Sequence, residues 1–194
     1  MSGPATGDNA PVGEQEGLDC AVEAMQAGDE AAFRVVYRHV QPPLVRYLTV
    51  LVGPAEAEDV ASEAWAQAFR DLDRFSGDAD GFRGWITTIG RNRALDHIRH
   101  ARRRPVAEES IDDLVDLPDD VDVEDEIIGR INSEAVVRLI GTLPRDQAEA
   151  IMLRTVLGFD APTAARILGK RPGAVRAAAH RGLKQLAKKL PENP

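Results

Sequence analysis

The chain has 194 residues, 32 acidic against 24 basic side chains and a formal net charge of −8. That length allows one ordinary domain or two small ones, and the 43% hydrophobic content is enough for a real core. A single cysteine, Cys20, excludes an internal disulfide framework and a cysteine-rich zinc site, and no apolar run reaches the roughly 18–20 residues of a membrane span.

Residues 1–16 are Gly, Pro, Ala and polar residues, the composition of a disordered tail. Helical periodicity starts at Leu18. Asp29 is placed to cap a helix carrying Phe33, Val36, Tyr37 and Val40 on one face. Pro42-Pro43 predicts a break, after which Leu44, Tyr47, Leu48 and Leu51 open a new apolar face. Gly53-Pro54 punctuates again before an amphipathic helix from Ala55 to Leu72. Arg74 to Gly81 has the composition of a loop, and a helix from Phe82 to Arg103 stops before Pro105. Residues 105–128 alternate acids with Ile, Leu and Val around Pro118, which predicts an extended linker. Helices resume at Glu124–Gly141, Asp146–Leu157, Pro162–Leu168 and Pro172–Leu190. The fold class expected is all-α: two small helical domains, 17–104 and 129–190, joined by the acidic flexible linker 105–128, with tails at 1–16 and 191–194.

The total charge argues against a nucleic-acid partner, but its distribution argues the other way. Met1 to Glu30 holds seven acids and Pro105 to Ile128 eleven, with no Lys or Arg in either. The rest of the chain has fourteen acids against twenty-four bases. Six arginines lie between Arg91 and Arg104, and eight Lys or Arg with no acid lie between Ala161 and Leu190. Clustered bases of this kind are electrostatic footprints for phosphate.

In the C-terminal segment a short helix, a turn through Gly169-Lys170-Arg171 and a longer basic helix form the helix-turn-helix pattern. Asp160 caps the first helix of the pair. Ala165, Ile167 and Leu168 are its packing face, with Val175, Leu183 and Leu186 on the core side of the second. Arg176, His180, Arg181 and Lys184 are then available to DNA. In the Phe82–Arg103 helix, Phe82, Trp85, Ile86 and Ile89 point to a core. Asn92, Asp96, Arg99 and Arg103 recur on one polar face.

The segments Ala57-Glu58-Asp59-Val60-Ala61-Ser62-Glu63-Ala64-Trp65, Phe82-Arg83-Gly84-Trp85 through Arg91-Asn92, and Asp96-His97-Ile98-Arg99 resemble region 2 of the extracytoplasmic-function (ECF) sigma factors of bacterial RNA polymerase. Leu143-Pro144, Ala150 to Arg154, Gly158-Phe159, Ala165 to Gly169 and Gly173 to Leu183 resemble region 4. The resemblance implies a transcription initiation factor that melts DNA without a catalytic residue, metal or cofactor. It implies that Glu58, Asp59, Glu63, Trp65, Gln67 and Phe69 bind the clamp helices of the polymerase core. Arg74, Phe75, Ser76, Asp78, Arg91, Asn92, Asp96, Arg99 and Arg103 would capture and melt the −10 element. Arg171, Pro172, Gly173, Arg176, Ala177, His180, Arg181 and Lys184 would face the −35 element, with region 4 also touching the polymerase flap. The acidic linker would thread the polymerase cleft. An anti-sigma protein would hold the factor, which is expected to be cytoplasmic and monomeric when free.

The sequence departs from the family where Pro162-Thr163 replaces a glutamate, where Arg171 takes the place of a serine cap, and at Ala177-Ala178-Ala179. These alanines offer only small apolar contacts, so −35 recognition is expected to lean on phosphates. Two other readings stay open. One is a helix-turn-helix regulator that acts without polymerase; the other is a metal-dependent nuclease using the acidic segment. His39, His97, His100 and His180 lack a paired zinc spacing, and Cys20 is expected to be buried or half-buried.

Overall fold

The structure, a computed structural model, describes residues 12–103 and 134–189. Every regular element among them is helical: α1 Val12–Gln26, α2 Glu30–Val52, α3 Pro54–Arg70, α4 Ala79–Arg103, α5 Glu134–Gly141, α6 Arg145–Ile151, α7 Ala161–Leu168 and α8 Pro172–Lys189. A 3-10 turn, Leu72–Arg74, follows α3. Helices α1 to α4 pack into one bundle and α6 to α8 into a second, smaller one, with α5 lying between them against α2 and α6. The acidic linker, and the stretch 124–133 expected to start a helix, lie outside the described residues.

Local signals explain most boundaries. Asp29 caps α2 by accepting hydrogen bonds from the backbone N–H groups of Ala31 and Ala32. Pro54 occupies the first turn of α3, where its missing N–H costs nothing. The first helix starts at Val12, so residues 12–16 belong to it and not to the expected tail. The loop expected over 74–81 is shorter, because the 3-10 turn takes Arg74 and α4 begins at Ala79.

The break expected at Pro42-Pro43 does not occur; α2 runs through both prolines. An interior proline costs about 3 kcal/mol. The fully buried side chains of α2 lie on both sides of the pair: Val36 and Val40 before, Leu44, Tyr47 and Leu48 after. Each such side chain contributes about 1.5–3 kcal/mol, so continuity of the apolar face outweighs the lost backbone bonds.

In the second bundle α6 widens into a π-helical turn, Met152–Val156, in which the Leu157 N–H donates to the Met152 carbonyl. The widening lets Met152, Leu153, Leu157 and Phe159 share one buried face. The helix-turn-helix corner is a Schellman turn. Gly169 sits at φ +64°, the Lys170 N–H donates to the Ala165 carbonyl at 2.9 Å and the Gly169 N–H to the Arg166 carbonyl at 3.3 Å.

Across the corner, α8 crosses α6 at Gly182. A Cβ there would lie 2.6 Å from Ile151 Cδ1 and 3.1 Å from Gln147 Cβ. This crossing sets which residues of α8 are buried: Val175, Ala178, Ala179, Gly182 and Leu186. Leu183, expected on the core side, is 47% exposed, because it lies about 80° around the helix from Val175. Cys20, expected to be buried or half-buried, is exposed on α1.

Gly182→Val lowers the stability of the protein by about 1–3 kcal/mol in chemical denaturation, through overpacking against Ile151. Gly182→Ala costs less, since alanine returns about 1 kcal/mol of helix propensity.

Candidate nucleic-acid interface

The recognition side of α8 follows from the crossing at Gly182. With that face turned inward, Arg171, Gly173, Arg176, Ala177, His180, Arg181 and Lys184 all lie exposed, and Pro172 half-buried, on the opposite side. The helix that precedes it is fixed by Asp160, whose Oδ1 accepts from the Thr163 backbone N–H at 2.7 Å. The hydrogen bonds from Thr163 hold the Asp160 carboxyl below the usual carboxylate range. Of the three alanines expected to meet base edges, only Ala177 is exposed; Ala178 and Ala179 are buried against the bundle.

On α4 the polar ridge is present: Asn92, Asp96 and Arg99 are exposed, and Asp96 pairs with Arg99. Arg103 closes the helix, its side chain lying outside the described set. At the other end of α4, Phe75 stacks on Trp85 with ring centroids 5.1 Å apart and meets Phe82 edge-on at 5.5 Å. Trp85 is half-buried, so one part of this stack reaches the surface. Arg74, Ser76 and Asp78 are exposed around it. The loop is fixed from α1, through partners distant in the chain that leave no local signal. Gln26 Nε2 donates to the Phe75 carbonyl at 2.7 Å, and Asp19 accepts from the Ala79 N–H at 2.8 Å. Asp78 caps the start of α4 by accepting from the Gly81 N–H.

The α3 surface divides. Glu58, Asp59, Glu63 and Phe69 are exposed, whereas Trp65 is buried and donates from Nε1 to Gln41 Oε1 at 2.7 Å. Gln67 Oε1 accepts two hydrogen bonds from Arg93 of α4. Trp65 and Gln67 therefore tie α3 to α2 and α4 within the bundle. Beside them lies an aromatic group shared by α2 and α3. Phe33 and Tyr37 of α2 pack on Trp65 and Phe69, leaving Tyr37 36% and Phe69 48% exposed.

Arg91 has a different neighbour from the rest of the ridge. Its Nε donates at 2.7 Å to Oε1 of Glu149 on α6, and its Nη2 at 3.4 Å to Oε2. The Tyr47 hydroxyl of α2 donates to the same Oε1 at 3.0 Å. Glu149 is 3% exposed and Tyr47 fully buried. Burial, reinforced by the Glu149 charge, pushes the Tyr47 hydroxyl well above its usual value and keeps it a donor. The two bundles meet around this group, where α2 packs on α5 and α6 and α4 packs on α7.

Asp160→Ala costs the helix-turn-helix about 1 kcal/mol through loss of the α7 cap, measurable by thermal unfolding. Because the Asp160 carboxyl is held low in the folded state, its contribution is complete above the ordinary carboxylate range. It is lost only as pH falls through the lowered value. The Asp160→Ala variant lacks that part of the acid sensitivity.

Family models match both bundles: sigma-70 region 2 over residues 36–104 and sigma-70 region 4 over residues 133–186. The chain is 32% identical over 180 residues to the ECF RNA polymerase sigma factor SigD of Mycobacterium tuberculosis, covering 88% of this chain and 82% of that protein. It is 30% identical over 174 residues to the ECF RNA polymerase sigma factor BldN of Streptomyces coelicolor, covering 89% of this chain and 65% of BldN. Two solved structures share the fold at 23% identity. One is CnrH in complex with the cytosolic domain of CnrY, with a TM-score of 0.60 over 92% of this chain and 99% of that one. The other is the sigma factor RpoE in complex with the anti-sigma factor NepR from Bartonella quintana, with a TM-score of 0.62 over 84% and 98%. The chain belongs to the ECF sigma factors of the sigma-70 family.

Proposed function

We propose that this chain is an alternative sigma factor that binds core RNA polymerase and directs promoter recognition, −10 melting and transcription initiation. The observation that carries the reading is the pairing of two separate surfaces on one chain. One is a basic recognition helix on a region 4 bundle, and the other a polar ridge with an aromatic stack on a region 2 bundle. A regulator that only binds duplex has no use for the second surface.

The division of labour follows from the side chains. The α8 face presents several cations and few exposed small apolar residues, Ala174 and Ala177 in its first half, so it anchors phosphates and reads few bases. The region 2 ridge faces a different task. Extruding a base from the stack costs a few kcal/mol, and stacking on an aromatic ring returns about 1–3 kcal/mol per base. Phe75 and Trp85, with Arg74, Ser76 and Asp78 around them, supply such a platform. Asn92, Asp96 and Arg99 extend it as a hydrogen-bonding ridge, and no covalent step is required of any residue. Glu58, Asp59, Glu63 and Phe69, with the exposed edge of Tyr37, form the surface for core polymerase. CnrH and the Bartonella RpoE were each captured with a second protein, CnrY and NepR. By extension, an anti-sigma protein is the regulator proposed for this chain.

Purified core polymerase gives a promoter-dependent transcript from a genomic template only when this protein is added. Absence of any such transcript contradicts the reading, and tight specific duplex binding without polymerase favours a helix-turn-helix regulator. Arg176→Ala weakens promoter binding evenly across sequences and lowers the salt slope by about one unit, as loss of one phosphate contact requires. Ala177→Gly changes it little. A sequence-selective loss with Arg176→Ala, at unchanged salt slope, contradicts the phosphate-anchoring role.

A further inference from the structure

The loop that leads into α4 is held at both ends by α1, a helix that carries none of the proposed −10 residues. Gln26 Nε2 donates to the Phe75 carbonyl at 2.7 Å, and Asp19 Oδ1 accepts from the Ala79 N–H at 2.8 Å. Seven residues separate Asp19 from Gln26, so both leave α1 on one face, about 10 Å apart along its axis. Between the two anchors lie Ser76, Gly77 and Asp78, all exposed.

Attachment of α1 to the bundle is the work of its apolar stripe, Leu18, Val22 and Met25, each of them buried. Asp19 and Gln26 sit half-buried beside that stripe. What the polar pair adds is direction, since each fixes one backbone atom of the loop through one hydrogen bond.

The span between the anchors has no slack. The Phe75 ring lies on Trp85 and against the edge of Phe82. Gly77 sits at φ +152°, and a Cβ there would come within 3.2 Å of the Phe75 ring. One on Gly81 would lie 3.1 Å from Asp78 Oδ1, which already accepts from the Gly81 N–H at 2.7 Å. The placement of the Phe75 ring, and so of the outer surface of the stack, therefore follows the backbone path from Phe75 to Ala79. That path is set from α1.

Ordering a loose loop at the moment of binding costs conformational entropy, and a loop already held in its bound shape avoids that cost. The saving falls on the step that unstacks a base. The initial contact with duplex through α8 does not depend on it.

We propose that Asp19 and Gln26 are positioning residues for −10 opening, and that α1 braces the Phe75–Ala79 loop in the shape that receives an unstacked base. The proposal rests on the sigma-factor reading. Both side chains act through backbone atoms of the loop and not on DNA.

Two measurements on the full chain test it. In the free protein, Asp19→Ala and Gln26→Ala each speed amide hydrogen exchange between Phe75 and Gly81 by about fivefold, as loss of one hydrogen bond requires. Exchange in α8 is unchanged. In holoenzyme on a promoter that the wild-type protein transcribes, each variant slows open-complex formation at saturating DNA by about fivefold. Affinity of the initial closed complex stays within about twofold. Asp19→Asn keeps an oxygen acceptor for the Ala79 N–H and holds both readouts within about twofold of wild type.

Unchanged loop exchange in the alanine variants overturns the proposal, and so does a loosened loop with an unchanged opening rate. Equal losses of opening rate and closed-complex affinity overturn it too, as does no recovery in Asp19→Asn, because both mark general damage to the bundle. Should Asp19→Ala fail to fold, Gln26→Ala carries the same test from the other end of the loop. If the wild-type protein yields no promoter-dependent transcript, the sigma-factor reading falls and the role in opening with it. Loop exchange then still reports the brace by itself.

Discussion

A single buried carboxylate organises the relation between the two halves of this protein. Glu149 belongs to region 4 by sequence, but its nearest hydrogen-bond donors, Arg91 and Tyr47, belong to region 2. Leaving such a group buried without partners would cost several kcal/mol, so the two bundles dock in one register or come apart. Each bundle has its own reasons to fold: the continuous apolar face of α2 in one, the close crossing of α6 and α8 in the other. The Glu149 group joins them where the buried apolar cluster runs on from one bundle into the other.

Seen this way, charge and architecture are one subject. The recognition face of α8 stays exposed in the docked arrangement, whereas Arg83 and Arg91 on α4 are withdrawn. The exposed part of the proposed −10 surface, Asn92, Asp96 and Arg99, includes an internal ion pair that softens its positive charge. The docked protein thus displays the basic face of α8 and an α4 ridge whose exposed charge is partly paired.

Much of this was legible in the sequence, for identifiable reasons. Helix type, the Asp29 and Asp160 caps, the helix-turn-helix corner and the exposed basic face of α8 all follow from local periodicity and turn chemistry. What failed was decided by packing between elements. Pro42-Pro43 looked like a break because propensity is local, whereas Val36, Val40, Leu44 and Tyr47 hold the helix from both sides. Leu183 and Ala178 exchanged their expected places because Gly182, not a leucine, marks the crossing point. Trp65 and Gln67 turned inward to Gln41 and Arg93, partners distant in sequence. The role of Glu149 had no local signal at all, since neither Tyr47 nor Arg91 lies near it in the chain. The net charge of −8 misled for a simpler reason: it averages two acidic segments with two basic faces.

On the proposed sigma-factor reading, the two bundles that touch in this structure reach separate promoter elements only once they part. The most direct measurement is the distance between spin labels on exposed positions of α3 and α8, for example Ser62 and Lys188. It would be taken for the free protein and again with core polymerase and promoter DNA. The account predicts one short, narrow distance in the free state and a displacement of several tens of ångströms in the complex. The same distance distribution in both states would contradict it.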